Sequence, residues 1–192
     1  MNLPNKLTLL RIALVPIVVI IYLCIDPTTG VVDAKSGLAL RDILATVVFI
    51  IASLTDMLDG MIARRYRLIT SFGKFADPIA DKMLVNTILI LLVYAHEANV
   101  VAVLLMTARD LVVDGLRMTA ATNGRVVSAG FPGKCKTVLQ MFAIIFLLMK
   151  NWPFSYIGIP MASILLWAAT IMSLYSGYIY FMKLRRYVLE SM

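Results

Sequence analysis

The sequence predicts an all-α polytopic membrane protein with six transmembrane helices and a short N-terminal amphipathic helix at the interface, in one domain over residues 1–192. Three observations carry this. Hydrophobic residues make up 61% of the chain and charged residues only 15%, and mean hydropathy is +0.89, well beyond a soluble domain. Several apolar stretches reach the roughly 20 residues that cross a bilayer as a helix. Of the 18 lysines and arginines, all but Lys35, Arg41 and Lys150 fall on one side of a six-span plan, and that bias marks the side as cytoplasmic.

The elements follow in order. Residues 2–10 form a short basic amphipathic stretch suited to lie along the interface. The first span covers about residues 9–25; no small-x-small cleavage site stands before Ile25-Asp26-Pro27, so it reads as a retained helix and not a signal peptide. Pro27, Gly30, Asp33 and Lys35 mark a polar loop. The second span, about 40–63, carries Asp56 and Asp59 at its far end and is stopped by Arg64, Arg65 and Arg67. The third, about 74–95, begins with Asp77 and Asp81. The fourth covers about 99–122, the fifth 134–149 and the sixth 157–184, closed by Lys183, Arg185 and Arg186. Between the fourth and fifth, Gly124, Gly130, Pro132 and Gly133 read as a cytoplasmic loop. An even number of spans puts both termini on the cytoplasmic side of the cytoplasmic (inner) membrane.

The net charge of +7 serves topology and anionic headgroups, chiefly through Lys6, Arg11, Lys183, Arg185 and Arg186. Without a soluble basic domain, nucleic-acid binding is excluded. Cys24 and Cys135 read as free thiols. His96, beside Glu97 in a short turn, reads as a solvated loop residue.

Four acids stand where a span should have none. A carboxylate at the bilayer centre costs about 2.5–3.5 kcal/mol on insertion scales, so four without partners would cost on the order of 10 kcal/mol. Asp56 and Asp59 are three apart, while Gly73, Asp77 and Asp81 are spaced by four, so each set shares a helix face. An antiparallel turn over residues 64–72 brings the faces together near the cytoplasmic interface. Oxygen ligands with no His or Cys nearby suit Mg²⁺, Mn²⁺ or Ca²⁺, and such a pocket has room for two ions. Gly60, Ala63 and Gly73 either let the helices pack closely or let a flat nucleotide approach the backbone. Spacing alone leaves both open.

The run Asp56-x2-Asp59-Gly60-x2-Ala63-Arg64-x8-Gly73-x3-Asp77-x3-Asp81 resembles the signature of the CDP-alcohol phosphotransferases at every fixed position. The resemblance implies a six-helix membrane enzyme, a homodimer, that moves a phosphatidyl group from CDP-diacylglycerol to an alcohol. It implies that Asp56, Asp59 and Asp77 ligate two ions, Mg²⁺ or Mn²⁺, bridging the diphosphate. Asp81 would share one ion and act as general base. Gly60, Ala63, Arg64 and Gly73 would line the CMP part of the CDP-lipid.

The signature leaves the acceptor unnamed. Arg109 and Arg117 lie eight apart in the fourth span, with Asp110 and Asp114 between them. They are either members of internal salt bridges or an anion pocket, and arginine's planar fork suits phosphate. Lys134 and Lys136 either snorkel to headgroups or complete that pocket. An acceptor already carrying a phosphate is favoured over serine or a neutral alcohol. Residues 2–11, Ala108-Arg109-Asp110, Gly115-Leu116-Arg117 and 133–137 resemble those members of the family whose acceptor is sn-glycerol 3-phosphate. Two alternatives stand beside this reading. One is the same chemistry on inositol phosphate, serine or a second phospholipid. The other is a divalent-cation transporter, in which Gly60, Ala63 and Arg64 have no role.

Overall fold

The computed structural model describes the backbone of residues 2–66, 71–122 and 130–189, and their side chains except 3, 4, 57–66, 71, 72, 74, 75, 122, 184 and 186–189. Among the described residues there are six α-helices: α1 Leu3–Cys24, α2 Leu40–Tyr66, α3 Ser71–Tyr94, α4 Val100–Thr122, α5 Phe131–Leu148 and α6 Met161–Leu189. The all-α expectation holds, with one small addition: strands β1 (Val31–Asp33) and β2 (Leu38–Ala39) pair antiparallel in the loop before α2. The chain divides into two compact units, residues 1–97 with 145–159 and residues 98–144 with 160–192.

Among the described residues, three helical segments are long and apolar enough to cross a membrane: Asn5–Cys24, Phe131–Leu148 and Met161–Lys183. The other helices carry the ionisable residues of the acidic motif and the arginine pair, and those charges make them less apolar. The six-span count is therefore not established by hydropathy. Large apolar side chains are nevertheless outward-facing on all of them, including Ile51 on α2, Ile90 on α3 and Leu111 on α4, as a lipid-facing surface requires.

The separate interfacial helix expected over residues 2–10 is not a separate element. Helix α1 runs without a break from Leu3 to Cys24, including Pro16. Its buried positions are Asn5, Thr8, Arg11, Val15, Val18 and Tyr22, a spacing of three and four that defines one face. Arg11, which reads as headgroup-facing, thus continues the buried stripe with Thr8, because both meet carboxylates of the protein, while Lys6 stays exposed.

In the first unit α1 packs on both α2 and α3. Small buried residues sit along the contact faces: Ala45, Ala52 and Thr55 on α2, Ala76 and Ala80 on α3. Lipid is as apolar as leucine, so close approach through small side chains and hydrogen bonds holds such helices together. The far end is fastened by Asp42, which is fully buried. Its Oδ2 accepts the Ala39 N–H at 3.0 Å, meeting a donor at the start of α2. Its Oδ1 lies 3.3 Å from Arg41 Nε, and Lys150 Nζ approaches Oδ2 to 3.8 Å. The Arg41 guanidinium lies over the Tyr22 ring at 4.7 Å.

Beside it, Asp33 closes the hairpin turn by accepting from the Ser36 hydroxyl at 2.6 Å and the Tyr156 hydroxyl at 2.7 Å. These hydrogen bonds, Ser36 first and Tyr156 second, hold the Asp33 carboxyl down at about 2. Gly37 ends that turn at φ +71°, a backbone conformation glycine adopts without strain.

In the second unit α4 packs on α6. The buried face of α6 is Ala162, Leu166, Ala169, Thr170, Ser173, Ser176 and Tyr180. It changes from apolar to polar along its length, and the polar end meets the charged half of α4.

Candidate active site

The acidic motif lies at the junction of α2 and α3. Asp56 is half-buried near the end of α2, and Asp77 and Asp81 are half-buried in α3. Gly73 is buried in the first turn of α3. Asp59, Gly60, Ala63 and Arg64 belong to the last turns of α2, but their side chains lie outside the described residues.

Two of the carboxylates are held from α1. Arg11, with a fully buried side chain, places Nη1 2.6 Å from Asp56 Oδ1. The Thr8 hydroxyl donates to Asp77 Oδ1 at 2.5 Å. Thr8 and Arg11 are three apart and share one face of α1, so the carboxylates of α2 and α3 meet the same side of one helix. Neither residue was singled out as functional from sequence. The signal was present: a polar stripe in register with the buried positions Val15, Val18 and Tyr22.

Among the described residues no three His, Cys, Asp or Glu side chains gather closely enough to hold a metal ion; the fourth acid, Asp59, lies outside that set. The donors that are described are hard carboxylate oxygens, with a threonine hydroxyl behind one of them. That chemistry fits Mg²⁺ or Mn²⁺ and not zinc.

The second cluster lies in the second unit and joins α4, the start of α5 and α6. Arg109 Nη1 donates to Asp110 Oδ1 at 2.8 Å, and Lys136 Nζ donates to Asp110 Oδ2 at 2.7 Å. Arg109 Nη2 also donates to the Ser176 hydroxyl at 2.8 Å. Arg117 has no carboxylate within ion-pair distance among the described residues. Its Nη2 donates to the Tyr180 hydroxyl at 2.8 Å, and its guanidinium lies over the Tyr180 ring at 4.7 Å. That hydroxyl also accepts the Gly130 N–H at 3.1 Å, just before α5.

The structure therefore brings three of the four expected cations together and leaves out the fourth, since Lys134 is exposed. It stands two residues before Lys136 in α5, about 200° around the helix from it. The internal-salt-bridge alternative holds for Arg109, through Asp110. It does not hold for Arg117, whose partner is a tyrosine. With Asp114, half-buried three residues before Arg117, this stretch brings two carboxylates to three cations, an excess of one positive charge. Nε of Arg109 and Nε of Arg117 are buried without a hydrogen-bond partner among the described residues. Buried donors left unmet are rare and expensive. Ser176, Gly177 and Tyr180, on a helix that reads as a plain span, were not legible as part of it.

Residues 1–175 match the sequence model of the CDP-alcohol phosphatidyltransferase family. Curated relatives are similar over nearly the whole chain. A CDP-diacylglycerol–glycerol-3-phosphate 3-phosphatidyltransferase of Bacillus subtilis is 42% identical over 95% of this chain and 94% of its own length. Proteins of the same name are 37% identical in Rickettsia bellii, over 97% of both chains, and 33% identical in Wigglesworthia glossinidia brevipalpis, over 94% and 93%.

Proposed function

The chain belongs to the CDP-alcohol phosphatidyltransferase family, and we propose that it transfers the phosphatidyl group of CDP-diacylglycerol to sn-glycerol 3-phosphate in the synthesis of phospholipid. The observation that carries the acceptor is the excess cation of the second unit. Arg117 is oriented by Tyr180 without being neutralised. A phosphate monoester supplies the acceptor oxygens and the charge that such a pocket lacks. The names of the relatives, at up to 42% identity, support the same acceptor.

In this reading Asp56, Asp59, Asp77 and Asp81 hold two divalent ions, Mg²⁺ or Mn²⁺. When bound, these would neutralise the diphosphate and ease the departure of CMP. Gly60, Ala63, Arg64 and Gly73 line the nucleotide. Asp81 takes the proton of the attacking hydroxyl. That oxygen forms a bond to the phosphatidyl phosphorus as the bond from that phosphorus to the CMP oxygen breaks. Arg109, Arg117 and Lys136 bind the phosphate of the acceptor, and Lys134, exposed on another side of α5, is set apart from them. The protein works as a homodimer with six spans in the cytoplasmic membrane, both termini and the site on the cytoplasmic side. The basic residues at each end of the chain support that orientation.

The test is release of CMP from CDP-diacylglycerol in mixed micelles. Release should require sn-glycerol 3-phosphate and stop with EDTA. Arg117→Ala should raise the KM for glycerol 3-phosphate about 10- to 100-fold, the weight of one charge-assisted hydrogen bond or slightly more. The KM for CDP-diacylglycerol should hold. Release with inositol phosphate or serine instead would reassign the acceptor, and cation flux without CMP release would overturn the enzyme reading.

A further inference from the structure

We propose that Tyr180 is a positioning residue for the phosphate of the acceptor: it aims Arg117 without quenching its charge and ties it to the start of α5. The proposal rests on the reading of Arg109, Arg117 and Lys136 as an anion pocket and adds the device that keeps the pocket cationic.

The two arginines of α4 are held in opposite ways. Arg109 is held by a carboxylate, Asp110, which also takes Lys136. That arrangement orients the guanidinium but offsets its charge. Arg117 is held by a neutral group at two points, the ring face at 4.7 Å and the hydroxyl at 2.8 Å. The ring quadrupole attracts a cation and the hydroxyl accepts one N–H, so the long side chain is fixed while its full charge stays available to an anion. Tyr180 is itself fixed. It is 4% exposed, and its hydroxyl accepts the Gly130 N–H at 3.1 Å. One side chain of α6 thus sets the spacing between Arg117 on α4 and the first residues of α5, the helix that carries Lys136.

The neighbouring turn of α6 does the same for Arg109. Ser176 accepts its Nη2. Gly177 leaves the space in which its aliphatic stem lies, since a Cβ there would stand 2.9 Å from Arg109 Cγ and 3.1 Å from its Nε. Residues 173, 176, 177 and 180 form one face by helical spacing, so α6 is the floor on which both guanidiniums are laid out.

The experiment is steady-state kinetics on Tyr180→Phe, Arg117→Ala and the double variant, varying each substrate in turn, with calorimetric binding of sn-glycerol 3-phosphate to each purified protein. Phenylalanine keeps the ring and removes both hydroxyl contacts. The KM and Kd for glycerol 3-phosphate should rise about tenfold in Tyr180→Phe, as for a lost hydrogen bond to a charged group. The KM for CDP-diacylglycerol should stay within about twofold. In the Arg117→Ala background the same change should add less than about twofold, because the two residues act as one unit. Fully additive effects, or an equal rise in both KM values, would overturn the proposal by making Tyr180 a support of the fold. A rise with Arg117→Ala and none with Tyr180→Phe would sink the proposal and leave the anion pocket standing. No rise with either would remove the pocket itself, and this proposal with it.

Discussion

The carboxylates of the first unit and the cations of the second are held by the same kind of helix but left in different electrostatic states. In the first unit α1 meets the acids one by one. Arg11 neutralises Asp56, and Thr8 donates to Asp77. In the second unit α6 offers only neutral groups, Ser176 and Tyr180, to the arginines of α4. Asp56 and Asp77 thus sit paired, while Arg117 meets a tyrosine in place of a carboxylate among the described residues. Both supporting helices pass as apolar membrane spans, and the helices that carry the motif acids and Arg109 and Arg117 do not. Charge marks the motif acids and the arginines in sequence, while three of the groups that hold them, Thr8, Ser176 and Tyr180, are neutral and hidden in apolar sequence.

The largest effect is expected at the acids. Asp81→Asn should lower turnover about 100- to 10,000-fold while CDP-lipid binding is retained, the usual loss for a positioned base. Asp77→Asn should abolish transfer and binding of Mn²⁺ together, read by electron paramagnetic resonance of the bound ion. Parallel loss of lipid binding in Asp81→Asn would make that residue chiefly a metal ligand. Ordinary turnover in Asp77→Asn at low Mg²⁺ would end the metal reading of the motif.

A smaller effect sharpens the comparison by removing a support instead of a charge. Thr8→Val keeps the shape of the side chain and leaves Asp77 without its hydroxyl donor. Partners of metal-binding carboxylates typically contribute about 10- to 100-fold in metal affinity. Weakening of Mn²⁺ binding by that factor is expected, with Thr8→Ser close to the native value. Equal behaviour of valine and serine would leave α1 as packing and confine positioning by an apolar span to the second unit.

Those supports explain how much was legible beforehand. The all-helical class and the acids themselves followed from residues whose placement in a bilayer is too expensive to be idle. Arg117 was legible for the same reason. Thr8 was invisible because one hydroxyl barely changes the hydropathy of a span, and Arg11 because a basic residue near the start of a chain already has a topological explanation. Lys134 and Lys136 looked alike in sequence, yet only Lys136 meets Asp110, since a step of two residues along a helix separates their directions by about 200°. The hairpin before α2 was missed because its strands are two and three residues long and its geometry comes from side-chain contacts within the turn.

The smallest effect belongs to that hairpin, far in sequence from either set of charges, and it tests whether the fold can be perturbed without touching the chemistry. The Asp33 carboxyl is lowered from 3.8 to about 2, first by the Ser36 hydroxyl and next by Tyr156. A group whose folded pKa lies below its unfolded value stabilises the fold above the unfolded value and loses that contribution as pH falls through the folded one. The window is therefore from just under pH 4 down to about 2, and nothing should change near neutrality. Tyr156→Phe removes one of the two hydroxyl donors, so the Asp33 titration, followed by the carboxyl carbon resonance, should move up toward the ordinary aspartate range. The Tyr156 hydroxyl, itself held above its usual 10.0 by Asp33, no longer exists to be read. CMP release at neutral pH should stay within about twofold of native, because an exposed contact of this kind is screened by water and contributes little. A substantial loss of transfer in Tyr156→Phe would mean that the tie from the hairpin to the segment before α6 reaches the catalytic residues, and the division of labour between the two units would have to be redrawn.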